Sequence, residues 1–257
     1  MHYKKLSLIL FFITNQSLCL FPKKHLHEII IIVPGTWAIK ESWYKIGGNF
    51  FETLQEAATK MGKKVIWFRW LTNHYESSRQ KGAQELAHFL KALEPKTLIH
   101  VVSHSHGTNV VLGACQLLQK ECPKRKISSI FSLGAPIYEE VYKPNMNIIK
   151  RLYNLYSLND GIQTILAYKR IFKSQPGIFN IRTFIENKEP THSQMHDPAI
   201  GKWLFYLLNQ TVPPSSTINF FKDNLPIIKD NPEEKKLLEN DKPLNLQAFW
   251  DLRKKKN

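Results

Sequence analysis

Residues 97–113 read TLIHVVSHSHGTNVVLG, and this stretch decides the fold: an apolar strand, a tight turn with Ser105 at its tip, then a helix. Residues 99–102 supply the strand, and Val110, Val111 and Leu112 with Leu117 and Leu118 continue an apolar helix face. A serine hydroxyl is a poor nucleophile at its free pKa, so an enzyme that uses one must hold it next to a base and facing amide donors. A sharp strand-to-helix turn does this. It also crowds the backbone, so the positions two before and two after the nucleophile must be small; here they are Ser103 and Gly107.

The segment resembles the nucleophile elbow of the α/β-hydrolases, and SHSHG is most similar to the lipase and esterase branch. The usual pattern is G-x-S-x-G; this chain carries Ser103 in place of the first glycine. The resemblance covers roughly residues 28–209. It implies an α/β fold, a mainly parallel sheet with helices on both faces, and catalytic residues in the chain order serine, acid, histidine.

Only six aspartates exist (Asp160, Asp197, Asp223, Asp230, Asp241, Asp251), and four lie in the polar C-terminal part. Asp160 follows the strand-like run RLYNLYSL of residues 151–158, in an Asn-Asp-Gly turn similar to the one in which lipases carry their acid. Its role would be to orient the imidazole and stabilise the imidazolium. The base comes from PTHSQMHDPAIGKWL: in the family it precedes the Pro-containing start of the final helix by several residues. His192, six residues before Pro198, fits that spacing, with His196 as the second candidate. A residue near the helix N-cap, packed on Trp203, is the alternative role for His196. His192, His196 and Asp197 would form a metal set only with further ligands, and no such cluster of suitable spacing is present.

The oxyanion hole needs backbone amides facing the charge that develops on the carbonyl. The resemblance implies one donor at His106, after the nucleophile, and one in the loop after the first central strand. That strand is IIIIV, residues 29–33, uniformly apolar as in a parallel strand buried on both faces, and it ends in Pro34-Gly35-Thr36-Trp37. Family members usually have His-Gly here, so Pro34 is a second departure. Gly35 permits close backbone approach, Thr36 N–H is the expected donor, and Trp37 is expected to line the substrate cleft.

Between these motifs strand and helix patterns alternate. Helices are expected near residues 42–60 and 77–93, strands near 64–70, 127–133 and 151–158, a last strand at 178–185, and a final helix through Trp203, Leu204 and Leu207. Only a short loop separates Leu133 from Arg151, so a large lid has no room. Residues 135–146, with Pro136, Ile137, Tyr138, Val141 and Tyr142, form a candidate apolar rim, and residues 162–176 a candidate basic flap.

Residues 1–19 open basic, then run apolar, then place small Ser17 and Cys19, which reads as a secretory signal or an uncleaved N-terminal anchor, and the protein as exported. Cys115 and Cys122 remain, as two buried thiols or a disulfide. The net charge of +15 favours anionic partners. An anionic membrane surface is one; nucleic acid lacks any supporting motif. Beyond Gln210 the text turns Pro-, Asn- and Asp-rich and ends basic, so residues 210–257 read as a weakly ordered tail. The expected activity is hydrolysis of carboxylic esters, of lipids above all, through Ser105, His192 and Asp160, without a cofactor. A thioesterase or acyltransferase would use the same triad, and a non-catalytic binding module would keep only the fold.

Overall fold

In the computed structural model, which describes residues 28–166 and 169–233, the uniformly apolar run after Glu28 becomes the inner strand it was expected to be. This strand, β1 (Glu28–Val33), is buried from Ile29 onward. It is followed by α1 (Asn49–Lys60), β2 (Lys64–Trp67), α2 (Glu76–Ala92), β3 (Leu98–His104) and α3 (Gly107–Glu121). Then come β4 (Ser129–Leu133), β5 (Leu152–Tyr156), α4 (Gly161–Leu166), β6 (Ile178–Ile185), α5 (Pro198–Trp203), β7 (Ser215–Phe220) and β8 (Ile227–Asp230).

The strands form one sheet in the order β2-β1-β3-β4-β5-β6-β7-β8, parallel except for β8. Ile30 and Ile32 of β1 face a core built with Phe50 and Leu54 of α1 and Ile200 of α5. Ile29, Ile31 and Val33 face the other core, with Leu86 and Leu90 of α2 and Val110 and Val111 of α3. The chain therefore leaves β1 toward one face and β3 toward the other. Adjacent parallel strands whose helices depart to opposite faces open a crevice at their carboxyl ends, and that crevice holds the loop after β1 and Ser105.

Two expectations are corrected here. Residues 178–185 are not the last strand, and residues 215–230 are not tail: β7 pairs with β6 over six positions from Asn180↔Ser215 to Ile185↔Phe220, and β8 folds back on β7. Polar side chains at Ser215, Thr217 and Asn219 hide the strand pattern, while Ile218 and Phe220 are fully buried beneath them. Residues 234–257 and the segment 1–19 lie outside the described residues. The expected final helix is α5 closed by a 3-10 turn over Leu204–Asn209. Asp197 caps α5 by accepting the Ala199 amide at 2.8 Å, with Pro198 at the first helical position.

The segment between β4 and β5 carries turns and no helix, so no lid of several helices is built there. Its apolar residues mostly point inward: Ile137 and Tyr142 are buried in the α2/α3 core, and only Val141 is well exposed. Cys115 and Cys122 are free thiols, the first buried and the second half-buried.

Candidate active site

Ser105 stands in the left-handed region, φ 53°, between β3 and α3. A side chain there costs on the order of 1–2 kcal/mol, and three contacts hold it. The Ser105 amide donates to the Leu133 carbonyl at 2.9 Å. Gly107 lies so close to β1 that a Cβ would sit 2.5 Å from the Val33 and Pro34 carbonyl oxygens. Gly35 lies so close to the nucleophile that a Cβ would meet that of Ser105 at 2.8 Å. The Ser103 departure is accommodated because its fully buried hydroxyl shares a hydrogen bond with Thr108 Oγ1 at 2.9 Å.

Asp160 and His192, the expected acid and base, are brought together. Asp160 is fully buried, and its Oδ2 accepts from His192 Nδ1 at 2.8 Å. Its Oδ1 accepts the amides of Ile162 and Gln163 at 3.0 and 2.9 Å, at the start of α4. With both oxygens fixed and Nδ1 committed to the carboxylate, a neutral His192 ring keeps its lone pair on Nε2, the tautomer a general base needs.

Several residues that sequence reasoning passed over complete the arrangement. Gly134, at the end of β4, has φ +59°, and a Cβ there would lie 2.9 Å from Asp160 Oδ2 and 3.4 Å from His192 Nδ1. Glu189 fastens the His192 loop to the Asp160 loop: its Oε2 accepts the Leu158 amide at 2.6 Å, and its carbonyl accepts from Asn159 Nδ2 at 3.1 Å. Arg182 of β6 pairs with the other Glu189 oxygen. Ser157 Oγ donates to the Pro190 carbonyl at 2.6 Å. Of Gly134, Ser157, Arg182 and Glu189, only Ser157 and Glu189 lie within three residues of Asp160 or His192 in the sequence.

His104, next to the nucleophile, donates from Nε2 to the His192 carbonyl at 3.1 Å, and the two rings lie 4.6 Å apart. Burial holds the His104 pKa well below its usual value, so it serves as a neutral donor. His196, the second candidate for the base, does not touch Asp160. Its ring stacks on Trp43 at 4.2 Å with an interplanar angle of 1°, not on Trp203, and burial lowers its pKa to about 4.

Around the expected oxyanion hole, the amides of Thr36 and His106 donate no hydrogen bond among the described residues. The His106 amide sits at the N-terminus of α3, where the helix dipole favours negative charge. Thr36 Oγ1 and His106 Nδ1 are 3.3 Å apart, and burial lowers the His106 pKa to about 4. Trp37, expected in the cleft wall, takes φ 59° and stays 67% exposed at the rim, its ring 6.0 Å from His74. Among the described residues no group of three or more His, Cys, Asp or Glu could hold a metal ion.

No family model matches the chain, and no curated protein matches it. Among solved structures it is similar to a Xanthomonas campestris pv. campestris protein described as a hydrolase of the alpha/beta superfamily: 12% identity over 71% of this chain and 98% of that one, TM-score 0.45. A second X. campestris structure, described as an α/β serine hydrolase without lid, matches at 12% over 77% and 72%, TM-score 0.40. A Trichoderma reesei cutinase in complex with a phosphonate inhibitor matches at 19% over 48% and 58%, TM-score 0.34. The chain thus spans less than two thirds of the cutinase. The chain's own mainly parallel sheet carries Ser105 after β3, Asp160 after β5 and His192 after β6, an α/β-hydrolase-like arrangement in the serine, acid, histidine order that the resemblance implies.

Proposed function

We propose that the protein is a serine hydrolase of carboxylic esters, with lipid esters as its substrate class. Ser105 Oγ attacks the ester carbonyl while His192 Nε2 takes the hydroxyl proton, and Asp160 stabilises the imidazolium that forms. The amides of Thr36 and His106 hold the oxyanion. Collapse of the tetrahedral species breaks the ester C–O bond, His192 returns the proton to the leaving alcohol, and the acyl group stays on Ser105. Water, deprotonated by the same imidazole, then attacks the acyl carbonyl; the C–Oγ bond to Ser105 breaks, His192 returns the proton to Oγ, and the carboxylic acid leaves. With residues 1–19 as an export signal, the enzyme would meet this substrate outside the cytoplasm.

The observation that carries this reading is the 2.8 Å bond between His192 Nδ1 and buried Asp160, at the sheet edge where Ser105 is held in a strained turn. A buried, doubly anchored carboxylate bonded to a histidine, at the same sheet edge as a left-handed serine, has a direct catalytic use. The test is labelling by a fluorophosphonate probe. Wild type and His196→Ala should label, and Ser105→Ala and His192→Ala should not. A folded wild-type protein that fails to label and turns over no ester would sink the proposal.

A further inference from the structure

The sheet separates the base from its nucleophile. Ser105 follows β3, whereas His192 enters from the end of β6, and β4 and β5 lie between those two strands. Three of the bonds that hold the His192 turn come from the loop that leaves β5: Asp160 Oδ2 accepts from His192 Nδ1, Ser157 Oγ donates to the Pro190 carbonyl, and the Leu158 amide donates to Glu189. The Thr191 amide donates to Gln194 Oε1 at 2.9 Å, which closes the turn on itself. These contacts fix the tautomer of the imidazole and the shape of its turn. They all hold it from the β5 side, so the reach of the ring toward Ser105 needs an anchor on β3.

His104, the last residue of β3 and the neighbour of the nucleophile, supplies it. With its Nε2–H on the His192 carbonyl at 3.1 Å, the base residue is held at two atoms from two strands, the ring from the β5 side and the main chain from β3. The surrounding packing leaves this donor little room to turn away. His104 is 7% exposed and meets Trp43 edge-on at 5.4 Å and His196 edge-on at 5.0 Å. Trp43 and His196 are stacked on each other, and the Trp43 indole N–H is tied to Glu41 at 2.6 Å. Toward the loop of Thr36, a Cβ on Gly35 would lie 3.3 Å from His104 Nδ1. Burial keeps the His104 imidazole neutral, so no second charge meets the imidazolium that forms on His192 during acyl transfer.

We propose that His104 is a positioning residue that sets the distance from His192 Nε2 to Ser105 Oγ, a role separate from that of Asp160, which sets the tautomer. The inference rests on the hydrolase reading above. Packing at this position would be met by any flat ring. The bond to the His192 carbonyl asks for a donor at the place of Nε2.

The test compares the full wild-type chain with His104→Phe, His104→Gln and His104→Asn in turnover of a water-soluble acetyl ester, beside urea unfolding of each. Phenylalanine keeps a ring and removes the donor. The glutamine amide nitrogen lies as many bonds from Cα as the imidazole Nε2 and that of asparagine one fewer, so the first reaches the His192 carbonyl and the second stops short. His104→Phe and His104→Asn should lower kcat about tenfold or more, with KM within about twofold of wild type, and should slow fluorophosphonate labelling of Ser105 to the same degree. His104→Gln should recover most of kcat. Should His104→Phe fail to fold, the glutamine and asparagine variants still decide. Equal kcat in those two, or full kcat in a folded His104→Phe, overturns the inference and leaves His104 a packing residue. A folded wild type with neither labelling nor turnover removes the hydrolase reading itself, and this inference with it.

Discussion

The carboxylate of Glu189 accepts the backbone N–H of Leu158 at 2.6 Å and so holds the loop of His192 against the loop of Asp160. The spacing of Asp160 and His192 is thereby supported by a side-chain to main-chain bond that involves neither of them. Arg182 and Glu189 are both mostly buried on their side chains, so the pair is little screened by water.

Glu189→Ala is expected to lower kcat about tenfold or more with little change in KM, since it displaces the base without touching substrate. Stability should fall by about 2 kcal/mol, as the Leu158 amide and Arg182 lose a charged partner. Glu189→Gln, which keeps an acceptor for Leu158, should restore most of kcat. Steady-state kinetics and urea unfolding on both variants check this; equal kcat in Ala and Gln variants would reduce Glu189 to a purely structural role.

Gly134→Ala should be far more damaging than Gly62→Ala. Both glycines have positive φ, +59° and +68°, but a Cβ at Gly62 meets nothing within 4 Å, whereas at Gly134 it presses on Asp160 and His192. Both variants should lose about 1 kcal/mol of stability from backbone strain. Only Gly134→Ala should also lose activity, by about a hundredfold. Parallel assays of melting and ester turnover separate the two costs.

Ser105→Gly is expected to be more stable than Ser105→Ala by about 0.5–1 kcal/mol, although both are inactive. Glycine relieves the left-handed φ of 53°, and part of that gain is offset by its greater freedom when unfolded. Denaturant midpoints of the two variants read the strain stored at the elbow.

Stability should fall as the pH drops from about 6.5 to about 4. Burial lowers the pKa values of His196 and His106 to about 4 in the folded protein. Between that value and the unfolded one the unfolded state binds more protons, so the slope of stability with pH is positive there and vanishes below it. Each group contributes on the order of 2–3 kcal/mol across the window. His196→Gln should flatten the slope in urea titrations from pH 7 to 4; an unchanged slope would place the proton uptake elsewhere.

The elbow could be read from residues 97–113 because its demands are local: a strand, a small residue on either side of a serine, and a helix. The Asp160 and His192 assignments followed from chain order, and the structure joins those two side chains. The two C-terminal strands were missed because Ser215, Thr217 and Asn219 dilute the pattern; their placement comes from pairing with β6, about thirty-five residues earlier in the chain. His196 was left as a rival base because spacing alone cannot show that its ring lies flat on Trp43, over 150 residues away in sequence.

By itself the sequence determined the fold class and pointed to Ser105, Asp160 and His192 as candidates, because these signals are written in short periodic segments and turn chemistry. Only the tertiary structure decided which histidine meets Asp160, why Gly134 must lack a side chain, and how Glu189 ties two loops together. Each of these is a contact between segments far apart in the chain. Such contacts exist only once the parallel sheet has brought its carboxyl ends to one edge, and no local pattern encodes them.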